Sequence, residues 1–185
     1  MAGSEMTFWE HLDELRKVLF RSAIVIAVLM AAIFMAKDFV FDTVVFGPIN
    51  SDFILYRLID KALLLLGMPT LPEFQLSLIN IDLSAQFFIH ISTTFYLSLV
   101  LATPVIIYQL WSFVKPALYE NEKRAARGAF AFAGILFLMG VLVGYYLIFP
   151  LTLRFLGTYQ VSYEVANQIS LQSYISMFTW LILIM

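Results

Sequence analysis

Five carboxylates crowd two short segments of this chain: Glu10, Asp13 and Glu14 near its start, and Glu120 and Glu122 between two long apolar runs. A carboxylate accepts hydrogen bonds from cations, and bidentately from a guanidinium, so the first chemistry these residues suggest is cation recognition. Local pairing separates the candidates. With residues 8–20 helical, Asp13 meets Arg16 and Lys17 at i+3 and i+4, Glu14 has only Lys17 at i+3, and Glu10 faces Asp13 and Glu14, which repel it. Glu120 has Lys123 and Arg124 at the same offsets, whereas Glu122 has only Ala125 and Ala126. Glu10, Glu14 and Glu122 are thus the groups with charge to spare. The competing explanation is solvated surface charge, and a helix macrodipole accounts for Glu10 without any ligand.

Other chemistry is sparse. The chain has no His-Glu-x-x-His pair, no Gly-x-Ser-x-Gly nucleophile and no glycine-rich phosphate loop. No catalytic residue, cofactor, metal or nucleic-acid partner is therefore expected. The absence of cysteine excludes disulfides and thiolate-held metals. Gln86 and His90 open the second apolar run as its strongly polar side chains, and Gln109 lies near its other end. An ionisable group inside a membrane is a functional candidate, but His90 falls close enough to an interface to be simply solvated there.

The elements that must carry these residues are membrane helices. Hydrophobic residues make up 62% of the chain and charged residues 13%, with a mean hydropathy of +0.88, far outside the range of soluble domains. Uncharged or nearly uncharged runs cover Ser22–Ala36, Leu83–Val114, Ala129–Leu153 and Val165–Met185. A bilayer core of roughly 30 Å takes about 20 helical residues. The first run reaches that length if Val18–Phe20 are included and Arg21 snorkels. The reading is an all-α membrane protein, a polytopic transmembrane helix bundle with four spans at about 18–36, 83–110, 129–151 and 169–185. Acids before the first run and the lack of a cleavage site argue against a signal peptide.

Arg16, Lys17 and Arg21 precede the first span, and Lys115, Lys123, Arg124 and Arg127 lie between the second and third. The positive-inside rule then places the N-terminus and the second loop in the cytoplasm. In the outward first loop, Leu55, Leu58, Ile59, Ala62 and Leu66 recur at helical spacing, with Tyr56, Arg57, Asp60 and Lys61 on the other side. An amphipathic helix on the outer membrane face, or capping the bundle, is expected there. Kinks are expected at Pro104 and Pro150, and Gly140 with Gly144 permits close helix approach.

On these features alone a receptor, a small secondary transporter and a structural membrane subunit stand nearly level. The run Phe8-Trp9-Glu10-His11-Leu12-Asp13-Glu14-Leu15-Arg16-Lys17 resembles the His-Leu-x-Glu-Leu-Arg opening of the TatC family, the multispanning receptor component of the twin-arginine protein translocase. Pro104 through Tyr108-Gln109-Leu110-Trp111-Ser112-Phe113 to Lys115-Pro116-Ala117-Leu118-Tyr119-Glu120-Asn121-Glu122-Lys123-Arg124 resembles that family's first cytoplasmic loop and the helix end before it. Gly140, Tyr145, Phe149 and Pro150 add a third match.

The resemblance implies a bacterial inner-membrane protein that binds the Arg-Arg signal peptides of folded export substrates at the cytoplasmic face. It implies Glu14 and Glu122 as the carboxylates that meet the arginines, with Glu10 as a secondary contact and Gln109 as a polar contact in a groove along spans one and two. TatA/TatB-like single-span subunits and further copies of the chain are the implied partners within the bilayer. The family has six spans with an acid in the fifth, whereas this chain stops at Met185 within its fourth run. That stop reads as a truncation and leaves contacts with the single-span subunits, and translocation itself, in doubt.

Overall fold

The structure, a computed structural model, describes residues 8–70, 76–159, 162 and 168–184. Its helices are α1 (Phe8–Met35), α2 (Ile54–Leu65), α3 (Ala85–Val114), α4 (Glu120–Val143), α5 (Phe149–Thr158) and α6 (Leu171–Ile184). Two-residue strands, β1 (Leu78–Ile79) and β2 (Ile169–Ser170), pair in parallel, with Leu78 opposite Ile169 and Ile79 opposite Ser170. This small bridge was not anticipated, because two residues are too few for a periodic signal.

Three helical stretches are long and apolar enough to cross a membrane: Trp9–Met35, Ala85–Ala117 and Glu120–Thr158. The fourth apolar run forms α6, which is apolar but has 14 described residues. Along α1, Ile24 and Val28 are 60% and 63% exposed, and along α4 Phe132, Ile135 and Met139 also face outward. Such surfaces on helices whose backbone bonds are internally satisfied are suited to lipid rather than water.

The third apolar helix begins earlier than its uncharged run. Helix α4 starts at Glu120, so Glu120 and Glu122 lie in its first turn and not in a loop. Acids at a helix N-terminus complement its dipole, which extends the helix well beyond the apolar boundary expected near residue 129. At its other end the helix widens into a π-helical stretch, Gly144–Ile148, just before Pro150 in α5. Proline lacks an N–H, and a widened turn is one way a helix absorbs that missing donor. Within α3, Thr103 donates its hydroxyl to the Leu99 carbonyl beside Pro104.

The chain packs as two compact units, each with its own contacts. One comprises the described residues up to Ile33 together with Thr94–Phe137. Its helices meet where Ile107 lies 3.8 Å from a Cβ built at Gly134, and where the Trp111 and Phe130 rings stand 5.6 Å apart.

The other unit comprises Phe34–Thr93 and the described residues from Leu138 onward. Its core is aromatic: Phe149 is fully buried, with Tyr174 and Phe178 edge-on to it at 5.4 and 5.2 Å. Between α1 and α2 the chain forms a π-helical stretch, Val40–Val45. Two phenols serve carbonyls at its end, the half-buried Tyr145 donating to Val44 O at 2.9 Å and the buried Tyr174 to Val45 O at 2.5 Å. Such carbonyls lie past the last regular helical bond and need donors from elsewhere.

Helix α2 is anchored in its unit by one buried side chain. Tyr56, grouped with the polar side by spacing, is 1% exposed, and its hydroxyl lies 3.0 Å from Pro150 O and 3.3 Å from Pro48 O. Burial raises the Tyr56 pKa, an effect the Arg154 charge partly offsets; the guanidinium sits 5.5 Å from the ring centroid. Of the apolar positions in the pattern, Leu58 and Leu66 are 59% and 70% exposed, while Leu55 and Ile59 are half-buried. A tyrosine supplies both apolar area and a hydrogen-bond donor at a buried position.

Candidate functional site

The carboxylates of interest all belong to the first unit, at the end where α1 begins and α3 gives way to α4. Helix α1 carries Glu10 in its first turn, exposed. His11 follows, and its ring lies 4.5 Å from that of Phe113, tilted by 31°. Phe113 belongs to the last turn of α3, immediately before the Lys115–Ala117 turn that leads into α4. The acid-bearing start of α1 is therefore tied by an aromatic contact to the segment that delivers Glu122.

Glu14 stands one helical turn beyond His11. Its Oε1 accepts from Lys17 Nζ at 2.6 Å, and the two side chains are 41% and 54% exposed. The pairing corrects the expectation that Glu14 has charge to spare: the i+3 lysine reaches it, and Lys17 is not bonded to Asp13 among the described residues. Glu120 is paired as its spacing predicts, with Lys123 Nζ at 2.5 Å from Oε1.

Glu122 has a role that charge counting misses. Its Oε2 accepts from the backbone N–H of Tyr119 at 3.2 Å. Tyr119 is the residue before the helix and Glu122 is its third position, so this is the acid half of a capping box. No lysine or arginine pairs with Glu122 among the described residues, in keeping with its local sequence. At both Glu14 and Glu122 one carboxylate oxygen is bonded and the other is open among the described residues.

Gln109, one turn before Phe113, accepts at Oε1 from the Ser22 hydroxyl at 3.3 Å, partly buried. The contact joins α1 to α3 within the first unit, beside Val18, which is buried. Ser22 and the His11–Phe113 pair were not singled out from sequence. The signal was available: His11 lies at i−3 from Glu14 and Phe113 at i+4 from Gln109, so each shares a helical face with a candidate.

Of the four candidates, Glu14, Glu10 and Gln109 sit on helices joined by direct contacts, and Glu122 opens the next helix of the same unit. The chemistry available is that of two exposed carboxylates with open oxygens over aromatic and amide neighbours, a set that accepts hydrogen bonds from a cation. Among the described residues no group of three or more His, Cys, Asp or Glu could hold a metal.

Comparison with known proteins identifies the family. The family model for Sec-independent protein translocase protein (TatC) matches residues 10–185. The chain is 34% identical over 178 residues to TatC of Blattabacterium sp. subsp. Periplaneta americana, covering 94% of this chain and 67% of that protein. It is 32% identical over 166 residues to TatC of Escherichia coli K12, covering 86% and 56% respectively. It thus spans about two thirds of the one relative's length and just over half of the other's. A crystal structure titled twin arginine translocase receptor TatC, in the detergent DDM, matches with a TM-score of 0.67 at 29% identity, over 94% of this chain and 68% of that one. From its motifs, its long apolar helices and these matches together, the chain belongs to the TatC family, which consists of protein translocase components rather than enzymes.

Proposed function

We propose that this chain is the signal-reading part of a twin-arginine translocase, binding the paired arginines of export signals through Glu14 and Glu122 at the cytoplasmic membrane face. The observation that carries the reading is the His11–Phe113 contact, which ties the Glu14-bearing start of α1 to the segment leading to Glu122, in a member of the TatC family. Two arginines in succession require two acidic receptors. Each guanidinium offers a planar fork of donors that a carboxylate accepts through both oxygens, and a lysine has no such fork. Glu10 adds negative potential beside Glu14, and the groove marked by Ser22 and Gln109 takes the start of the apolar part of the signal.

In this reading four helices span the bacterial inner membrane, with the N-terminus cytoplasmic, and α2 lies against the outer leaflet through its exposed leucines. The distribution of Lys and Arg supports the orientation, and the outward-facing Leu58 and Leu65 support the placement of α2. Receipt of the signal then nucleates assembly with TatA/TatB-like single-span subunits and further copies of this chain.

The test is site-specific crosslinking. A signal peptide carrying a photoreactive group next to its arginine pair is added to the unmodified chain in nanodiscs, and the positions of the adducts are mapped by peptide mass spectrometry. Adducts concentrated around positions 14 and 122, and lost with a Lys-Lys peptide, support the proposal. Adducts spread evenly over exposed positions, or identical with both peptides, overturn it.

A further inference from the structure

The second unit holds a cleft of about 480 Å³ where α1 ends and α3 begins. Its rim carries Lys37, Asp38, Asp42, Gln86 and His90, and its wall includes Phe87. Among the described residues, none of Lys37, Asp38, Asp42 and Gln86 makes a side-chain hydrogen bond or ion pair. Among the described residues His90 is held by rings, stacked on Phe34 at 4.1 Å and edge-on to Phe41 at 5.6 Å, and its buried Nε2 has no hydrogen-bond partner there. Five polar side chains thus surround one cleft without bonds to one another among the described residues, their polar groups open to a ligand.

Two features narrow what that is. The cleft lies at the ends of two membrane-length helices, which is the depth of lipid headgroups whichever way the chain is inserted. Phe39, Leu83, Phe87 and Phe88 are exposed beside it, a surface fit for glycerol and acyl carbons. The charges are mixed, and the two carboxylates outnumber the single ammonium. A purely anionic headgroup is therefore repelled, whereas a zwitterion offers a partner to each sign. A quaternary ammonium has no N–H to donate to Asp38 and Asp42; a primary ammonium has three.

We infer that this cleft binds the headgroup of a phosphoethanolamine lipid, its ammonium on Asp38 and Asp42 and its phosphate on Lys37 and Gln86. The site lies in the leaflet opposite the N-terminus. The inference rests on membrane insertion alone and is independent of the role assigned to Glu14 and Glu122.

Delipidated protein in detergent, titrated with phosphatidylethanolamine, phosphatidylcholine or phosphatidylglycerol of matched acyl chains and read by native mass spectrometry, tests it. The expected result is a preference of about five-fold for phosphatidylethanolamine, the scale of one partly exposed charged contact, with soluble glycerophosphoethanolamine as a competitor. Joint Asp38→Asn and Asp42→Asn substitution removes the preference. Lys37→Gln weakens both zwitterionic lipids while keeping their order. Equal occupancy by all three lipids, or a preference unchanged in the Asp38→Asn, Asp42→Asn protein, overturns the inference. So does capture of the soluble compound without capture of the lipid, which would place the ligand in solution.

Discussion

His11 and Phe113, 102 positions apart in the chain, bring their rings to 4.5 Å and so tie the start of α1 to the end of α3. Together with the Ser22–Gln109 hydrogen bond it joins the helix that carries Glu14 to the helix that leads toward Glu122. An aromatic pair contributes about 0.5–1.5 kcal/mol beyond the area it buries. Phe113→Ala removes it, and the expected outcome is signal-peptide affinity lowered by about three- to ten-fold at that energy, with the protein still folded. Spin labels at positions 14 and 122 should report a broader separation in that variant. An unchanged distance distribution would show that the contact does not set the spacing of the acids.

Lys17 competes for Glu14. An arginine that engages both oxygens of this carboxylate must displace the ammonium now held at 2.6 Å. Lys17→Gln is therefore expected to tighten binding of a twin-arginine peptide by about two- to five-fold at low salt, the range of an exposed ion pair. The gain shrinks as salt screens the pair. Weaker binding in Lys17→Gln would mean that the lysine positions Glu14 instead of competing for it.

Glu122 combines a charge with a helix cap, and two substitutions separate them. Glutamine keeps an acceptor for the Tyr119 N–H and discards the charge, because either residue completes a capping box. Glu122→Gln should lose signal binding with an unchanged Tm. Glu122→Ala should lose binding and also destabilise the start of α4 by about 0.3–1.5 kcal/mol, seen as faster hydrogen exchange over 119–124. Full binding by Glu122→Gln would remove the charge from the mechanism.

Tyr56→Phe should act on stability alone. It strips the single O–H that donates to the Pro150 carbonyl at 3.0 Å, with the Pro48 carbonyl 3.3 Å away, at a net cost of about 0.5–1.5 kcal/mol. Thermal unfolding in detergent reads the loss, and signal binding should not change. Because burial raises the pKa of this phenol, it stays protonated and keeps donating between pH 7 and 9, so its contribution should be flat across that window. A loss of stability within it would show that the phenol ionises more readily in the folded protein than its burial implies.

Legibility in the sequence followed the length of each signal. Runs of apolar residues announced the long helices, and the motif around Glu14 and Glu122 pointed to the family. The start of α4 at Glu120 was hidden because its first turns are charged, and hydropathy cannot see a helix whose N-terminus is stabilised by its own acids. Helix α2 was found in place, but its buried anchor was not foreseen: spacing put Tyr56 on the polar side, while its hydroxyl reaches the Pro150 carbonyl at 3.0 Å, a contact 94 positions away that local pattern cannot show. The Glu14–Lys17 pair was underestimated because an i+3 offset was ranked below i+4, and a flexible lysine reaches either. The π-helical stretch at Val40–Val45, whose last carbonyls accept from Tyr145 and Tyr174 more than a hundred positions away, left no mark that local pattern could read, whereas the one at Gly144–Ile148 lies just before Pro150, where a kink was expected.

The central claim is that Glu14 and Glu122 read an arginine pair. Its most direct test is the affinity of a fluorescent twin-arginine signal peptide for this chain in nanodiscs, beside its Lys-Lys counterpart and the Glu14→Ala and Glu122→Gln proteins. The account predicts saturable binding that falls by at least about ten-fold with each change, as expected for loss of one bidentate charged contact, and that weakens with salt. Equal affinity for both peptides, or wild-type affinity in both variants, would contradict it and leave the two carboxylates as a helix cap and a surface ion pair.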